Sequence, residues 1–209
     1  PDGDPGTVDA PDVVNASWGL VGTAGQCITE FNHDIDVLKA AGTAIAFAAG
    51  NDGPAPLTSL SPANNPAGFS TGAVDASLAI ANFSSRGQSA CDGSVFPKTS
   101  APGVNVNTSD LSFGGLPLYR VVSGTSFAAP HTAGVMALLA GAFPNASVSE
   151  LESALTESAL DLGVAGPDNG YGYGMIHAKA AYDTILPGLT PPTGSVLING
   201  GAAATNVRA

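Results

Sequence analysis

Ser126 lies in Gly124-Thr125-Ser126-Phe127-Ala128-Ala129-Pro130-His131, between a Gly-Thr pair and an apolar run that continues from Ala133 to Leu139. Glycine lets the backbone turn sharply and come close to a ligand. The run after it has helical length and helix-favouring residues. Ser126 therefore falls at a helix N-terminus, where free N–H groups and the helix dipole favour developing negative charge. A hydroxyl there suits an acyl-transfer nucleophile, because its own N–H can help to hold an oxyanion. The plain alternative is a helix-capping serine. A serine nucleophile also needs a base to take its proton and an acid to orient that base. The chain offers three imidazoles, His33, His131 and His177. His131 follows Ser126 by five positions on the same helix, more than a turn away and on another face, and reads as structural. His33 in a polar helix start and His177 before a terminal helix read the same way.

The eight-residue string resembles the nucleophile motif of the subtilisin-like serine proteases, the subtilase family. In that family the base sits in a Gly-His-Gly-Thr-like segment and the acid in an Asp-Thr/Ser-Gly strand end. Neither pattern occurs in residues 1–209. The resemblance thus implies an N-terminally truncated piece whose catalytic Asp and His lie upstream.

Three further segments carry the likeness. Ala48-Ala49-Gly50-Asn51-Asp52-Gly53 resembles the segment with the oxyanion-hole asparagine, so the Asn51 amide would donate to the tetrahedral oxyanion beside the Ser126 N–H. A neutral donor stabilises that charge without titrating. An Asn in a turn is the competing reading. Asn15-Ala16-Ser17-Trp18-Gly19 resembles the strand that pairs with extended substrate. The backbone of Ser17 and Gly19 would bind peptide by strand addition, and Trp18 would line a pocket or pack in the core. Ser61-Pro62-Ala63-Asn64-Asn65-Pro66 resembles the rim loop of the primary specificity pocket, where the first proline often follows a cis bond. By the same match Leu60 borders that pocket with Ala48, Ala49, Gly50 and Thr125, and Asp52 stands at its mouth. Large apolar residues before the cut are expected first and basic ones second. Asp9-Ala10-Pro11-Asp12 and the position of Cys27 resemble the bacillopeptidase F type of the family.

The elements that must position these residues alternate in kind. Asp12–Gly19 reads as a buried strand running into a turn. Phe31–Ala41 has the apolar spacing of an amphipathic helix, ended by Gly42. Thr43–Ala49 is a continuous apolar run of the kind buried in parallel sheets. Strand, helix and strand in this order make a βαβ unit. Ser70–Val74 and Leu78–Phe83 read as strands, and Val104–Thr108 with Leu118–Val122 as a strand pair. Helices are expected over Ser149–Ser158 and Ile176–Ile185. The expected fold is α/β: three layers, subtilisin-like, with a mostly parallel sheet flanked by helices. Residues 1–186 form the C-terminal part of the peptidase domain, 187–193 a proline-rich linker, and 194–209 the start of an immunoglobulin-like β module that opens with a strand and hairpin turn. Without the upstream strand and helix, part of the sheet and core is expected to be exposed.

Composition narrows the partners. The 209 residues carry 17 acidic and 6 basic side chains, a net charge of −11, which disfavours nucleic acid and anionic membrane surfaces. The apolar stretches near 40–50 and 133–143 are too short to span a bilayer. Acidic excess suits a secreted, extracellular protein, a calcium binder or a salt-tolerant one. No cofactor is required for the chemistry, no metal ligands are assigned, and a structural calcium has no identified site. Cys27 and Cys91 form no Cys-x-x-Cys pattern. They could pair with each other, stay free, or pair outside the chain; the intrachain bridge is the expectation. The favoured function is a monomeric serine endopeptidase acting on polypeptide, with this piece inactive alone. The alternative is a non-catalytic binding or scaffold module of the same fold. Gly68-Phe69-Ser70-Thr71-Gly72 has the Gly-x-Ser-x-Gly spacing of an α/β-hydrolase elbow, but its serine opens a segment that reads as a strand and no helix follows it, so that reading fails.

Overall fold

A computed structural model describes residues 10–110 and 118–187, and the backbone of 196–198 and 202–204. Val13–Ala16 forms β1, Asn32–Ala40 forms α1 and Ala44–Ala48 forms β2. β1 and β2 are parallel neighbours, with Val13 opposite Ala44 and Ala16 opposite Phe47. Parallel neighbours need a crossover, and α1 supplies it. Phe69–Val74 adds β3 in parallel to β2. The short antiparallel pair β4 (Gly87–Gln88) and β5 (Val95–Phe96) precedes β6, Thr99–Pro102, which joins β3 in parallel. The resulting sheet runs β1-β2-β3-β6. A separate antiparallel ribbon pairs β7 (Val106–Ser109) with β8 (Tyr119–Val122). Then come α2 (Thr125–Ala142), α3 (Val148–Glu157) and α4 (Ala178–Ile185). β9 (Val196–Ile198) and β10 (Ala202–Ala204) form an antiparallel pair.

β2 is buried along its whole length, yet its period of two still sorts its side chains. Ala44 and Ala46 face a core with Met136, Leu139 and Phe143 of α2 and its end, Leu151 and Leu155 of α3, and Ile185 of α4. Ile45 and Phe47 face the other way, onto Ile35 of α1, Ala63 and Phe96. Helices therefore cover both faces, and the three-layer α/β expectation holds. Each large side chain taken fully from water contributes about 1.5–3 kcal/mol. α3 begins in a capping box, with the Glu150 N–H donating to Ser147 Oγ and the Ser147 N–H to Glu150 Oε2. That contact, led by the Ser147 hydroxyl, holds the Glu150 carboxyl below its ordinary range.

The sheet differs from the sequence expectation at Leu78–Phe83, at β6, and at the two-residue strands β4 and β5, for which no strand is expected. Leu78–Phe83 is not a strand; it makes one isolated bridge, Val74 to Ile80. Asp75 Oδ1 accepts the N–H groups of Ser77 and Ala79 and the Ser77 hydroxyl, and Leu78 takes φ 65°. This local side-chain turn outcompetes a ladder. Conversely, β6 lies in Thr-Ser-Ala-Pro, whose polar residues hide its burial: Thr99 and Ser100 are both fully buried. The expected helices at 31–41, 149–158 and 176–185 appear with ends shifted by one or two residues. The expected strand and hairpin near 194–201 corresponds to β9, while most of the expected linker and the hairpin turn itself lie outside the described residues.

Cys27 and Cys91 form a disulfide with Cα atoms 4.7 Å apart. Part of the layer structure is open. Among the described residues β1 pairs on one side only. α2 exposes Pro130, His131, Gly134, Ala137, Leu138 and Gly141, a stripe with the spacing of a helix-packing face, and Leu138 is 68% exposed.

Candidate active site

The C-terminal ends of β1 and β2 and the N-terminus of α2 meet at a cleft of about 400 Å³. Its lining contains Ser17, Trp18, Gly19, Ala48, Gly50, Asn51, Leu60, Thr125 and Ser126. These come from segments up to 109 residues apart in sequence. Ala49 alone among the sequence candidates does not line it. Its side chain is fully buried with Ala16, Ile45, Phe47 and Phe96, because strand alternation turns it to the opposite side from Ala48 and Gly50.

Asn51 is oriented by Thr125. The Thr125 backbone N–H donates to Asn51 Oδ1 at 2.9 Å, and its hydroxyl donates to the same oxygen at 3.0 Å. A backbone N–H can only donate, so the amide oxygen must face Thr125 and the amide nitrogen must point away. Thr125 Oγ1 in turn accepts the Gly50 N–H at 3.2 Å. Thr125 is wholly buried, so its side chain serves as the anchor between β2's end and α2. Asn51 supplies the helix with the N-terminal acceptor that its own N-cap residue, Gly124, cannot offer.

Ser126 sits in the first turn of α2, where its N–H has no helical carbonyl four residues back. The nucleophile candidate, the Asn51 amide and this N–H thus share one cleft. Gly50 holds φ 109°, and a Cβ there would lie 2.7 Å from Ser85 Oγ and 3.2 Å from Leu60. Ser85 Oγ accepts the Asp52 N–H at 3.1 Å, which pins the turn after β2. A Cβ at Gly19 would lie 2.5 Å from Leu60 Cδ2, so glycine lets the end of β1 close on that wall. Trp18 does both things expected of it. It packs edge-on against Phe31, at 5.2 Å between centroids, and Phe47, at 6.4 Å, and leaves 47% of its surface toward the cleft and solvent.

The wall behind Leu60 is polar and interlocked. Ser61 Oγ donates to Asn64 Oδ1 at 2.7 Å, Asn64 Nδ2 donates to Gln26 O at 2.9 Å, and Ser89 Oγ donates to Asn64 O at 2.7 Å. The Ser61–Pro62 bond is cis, as the resemblance implies. The disulfide joins the loops on either side of this segment.

Among the described residues no imidazole reaches Ser126. His131 is exposed, with Nδ1 2.8 Å from Phe127 O. His33 is exposed on α1. His177 accepts the Ala180 N–H as the cap of α4. Also among the described residues, no group of three or more His, Cys, Asp or Glu could hold a metal ion, and no helix is long and apolar enough to cross a membrane.

Sequence reasoning missed one cleft residue, Val21, and one contact made by the side chain of Ser17. Val21, 95% exposed, lines the cleft from a loop without periodic signal. The Ser17 side chain donates to Ser126 O at 2.8 Å, an arrangement that no local pattern announces.

The Subtilase family model matches residues 7–174. The chain belongs to the subtilase family. It is 37% identical over 210 residues to Bacillopeptidase F of Bacillus subtilis (strain 168), covering 95% of this chain and 14% of that protein. It is 33% identical over 177 residues to Subtilisin DY of Bacillus licheniformis, with 84% of this chain and 58% of the relative covered. Minor extracellular protease Epr of Bacillus subtilis (strain 168) is 32% identical over 174 residues, 81% of this chain and 24% of its own length. The chain therefore spans less than two thirds of the length of each of these relatives.

Proposed function

We propose that this chain carries the nucleophile and the oxyanion-stabilising groups of a serine endopeptidase that hydrolyses peptide bonds in proteins. Ser126 Oγ attacks the scissile carbonyl carbon, and its proton passes to a histidine contributed from outside residues 1–209. The oxyanion accepts hydrogen bonds from Asn51 Nδ2 and the Ser126 N–H. Collapse expels the amine, which takes the proton from that histidine, and leaves an acyl group on Ser126. Water then attacks the acyl carbon with the same base and releases the acid. The backbone of Ser17 and Gly19 holds extended substrate, Ala48, Gly50 and Leu60 form an apolar pocket for the residue before the cut, and Trp18 lines the pocket for a residue several positions before it.

One observation carries this reading: two Thr125 donors hold the Asn51 oxygen and so turn the amide nitrogen away from Thr125, in the cleft that Ser126 also lines. The same contact caps α2, so labelling at Ser126 is what separates the enzyme from a scaffold. The exposed stripe of α2 and the unpaired side of β1 support a further segment packing there and bringing the base. The disulfide supports an oxidising, extracellular setting.

The test is labelling with a serine-directed phosphonate in the full-length protein containing this chain. Modification is expected at Ser126, with loss of peptide hydrolysis, whereas residues 1–209 alone show no specific peptidase activity. Labelling at another serine overturns the assignment. A full-length protein that neither labels nor hydrolyses peptides is instead the non-catalytic module.

A further inference from the structure

Pro130 lies inside α2, four residues after Ser126. In an α-helix the carbonyl of residue i accepts the N–H of residue i+4. Proline has no N–H, so the Ser126 carbonyl loses its regular helical donor. Ser17 Oγ donates to that carbonyl at 2.8 Å. Asn15 Nδ2 donates to Ser17 Oγ at 2.9 Å, and the hydroxyl proton has Ser126 O at 2.8 Å as a much nearer acceptor than Asn15 Oδ1 at 3.4 Å. In the opposite sense, Ser126 Oγ lies 3.4 Å from Ser17 O. Two groups of residue 126 thus meet two groups of residue 17, across 109 positions of sequence.

We infer that the Ser17 hydroxyl is a positioning residue for the nucleophile. It docks on the carbonyl that Pro130 leaves free and fixes Ser126 Oγ against the end of β1, the strand that would hold substrate. The inference rests on Ser126 being the nucleophile. Proline is well placed for this task. With alanine at position 130 the carbonyl would be satisfied within the helix, and the link between β1 and α2 would become dispensable. With proline it must find its donor outside, and the residue that supplies it belongs to the substrate-binding strand. Nucleophile and substrate are thereby referred to one point of the fold, and small misplacements of reacting atoms cost much rate.

A double-mutant cycle in the full-length protein tests this. Ser17→Ala keeps the backbone that binds substrate and removes only the hydroxyl. It should slow phosphonate labelling of Ser126 and lower kcat by about tenfold, with KM changed less than about twofold. Ser17→Thr keeps a donor and should restore most of the rate. In a Pro130→Ala background the new N–H satisfies Ser126 O, so adding Ser17→Ala should cost less than about twofold. Equal losses in both backgrounds, no loss from Ser17→Ala, or a loss confined to KM would overturn the inference. Failure of the unsubstituted protein to label at Ser126 would instead overturn the catalytic reading beneath it.

Discussion

The core beneath α2, α3 and α4 and the loops behind the cleft are held together by different forces. On the helical side, Met136, Leu139, Phe143, Leu151 and Leu155 fill a dry core with each side chain 3% exposed or less. Behind the cleft, Ser59, Ser61, Asn64, Asn65, Ser85 and Ser89 are also buried, but they hold loops by hydrogen bonds, and Asn65 and Ser89 reach Cys91 of the disulfide. Apolar packing is non-directional and roughly proportional to area. It tolerates repacking that conserves volume. Hydrogen bonds are directional, and a buried donor without its acceptor is costly. The helical core can therefore supply stability without fixing any atom closely. The cleft needs atoms in one arrangement, and its polar network supplies that.

If this division holds, substitutions on the two sides should separate rate from stability. The largest effect on rate is expected at Asn51. Asn51→Asp keeps an acceptor for both Thr125 donors but replaces the amide donor by a carboxylate. In the full-length protein kcat should fall at least a hundred- to a thousandfold, with a small change in melting temperature. A comparable collapse of stability, or near-normal kcat, would mean that Asn51 is a turn residue and helix cap.

Met136→Ala is the counterpart. Met136 is fully buried in the apolar core beneath α2, α3 and α4. Stability in denaturant should drop by about 2–5 kcal/mol. Turnover per folded molecule should stay unchanged, measured well below the new midpoint. A fall in kcat as large as that in Asn51→Asp would show that the two sides are not separable.

The smallest effect sharpens the contrast at its exception. Glu152 of α3 is a largely buried carboxylate on the helical side, 2.8 Å from Lys39 of α1. Burial pushes its carboxyl above the ordinary 4.5, with the Lys39 contact opposing. The folded state then binds this proton more tightly than the unfolded chain. Stability from this group is present in full below pH 4.5 and declines as pH rises through the raised value. Glu152→Gln should flatten that decline in denaturant midpoints taken just above pH 4.5. An unchanged slope would mean that Lys39 fully compensates the burial.

Elements with strong local signals were legible from sequence. The apolar run of β2 and the amphipathic spacing of α1 and α3 point to their structures because burial and periodicity act over a few neighbours. β6 was not legible, since its threonine and serine are buried by partners distant in sequence. The Leu78–Phe83 segment misled because the carboxylate of Asp75 decides that turn. At the candidate site, Ser126 and Asn51 stood out through their motifs and through resemblance to subtilases. Ala49 was misplaced by one step of strand alternation, and Val21 carried no signal.

The sequence by itself determined which residues could do chemistry and which short elements would bear them. Residue type and local spacing set propensity, helix start and turn. Tertiary structure alone decided what those residues face. It turned the Asn51 oxygen onto Thr125, brought Ser17 to the carbonyl that Pro130 leaves free, and closed Cys27 onto Cys91. The physical reason is range. Hydrogen bonds and disulfides act only at a few ångströms, and folding alone brings groups 64 to 109 residues apart within that reach.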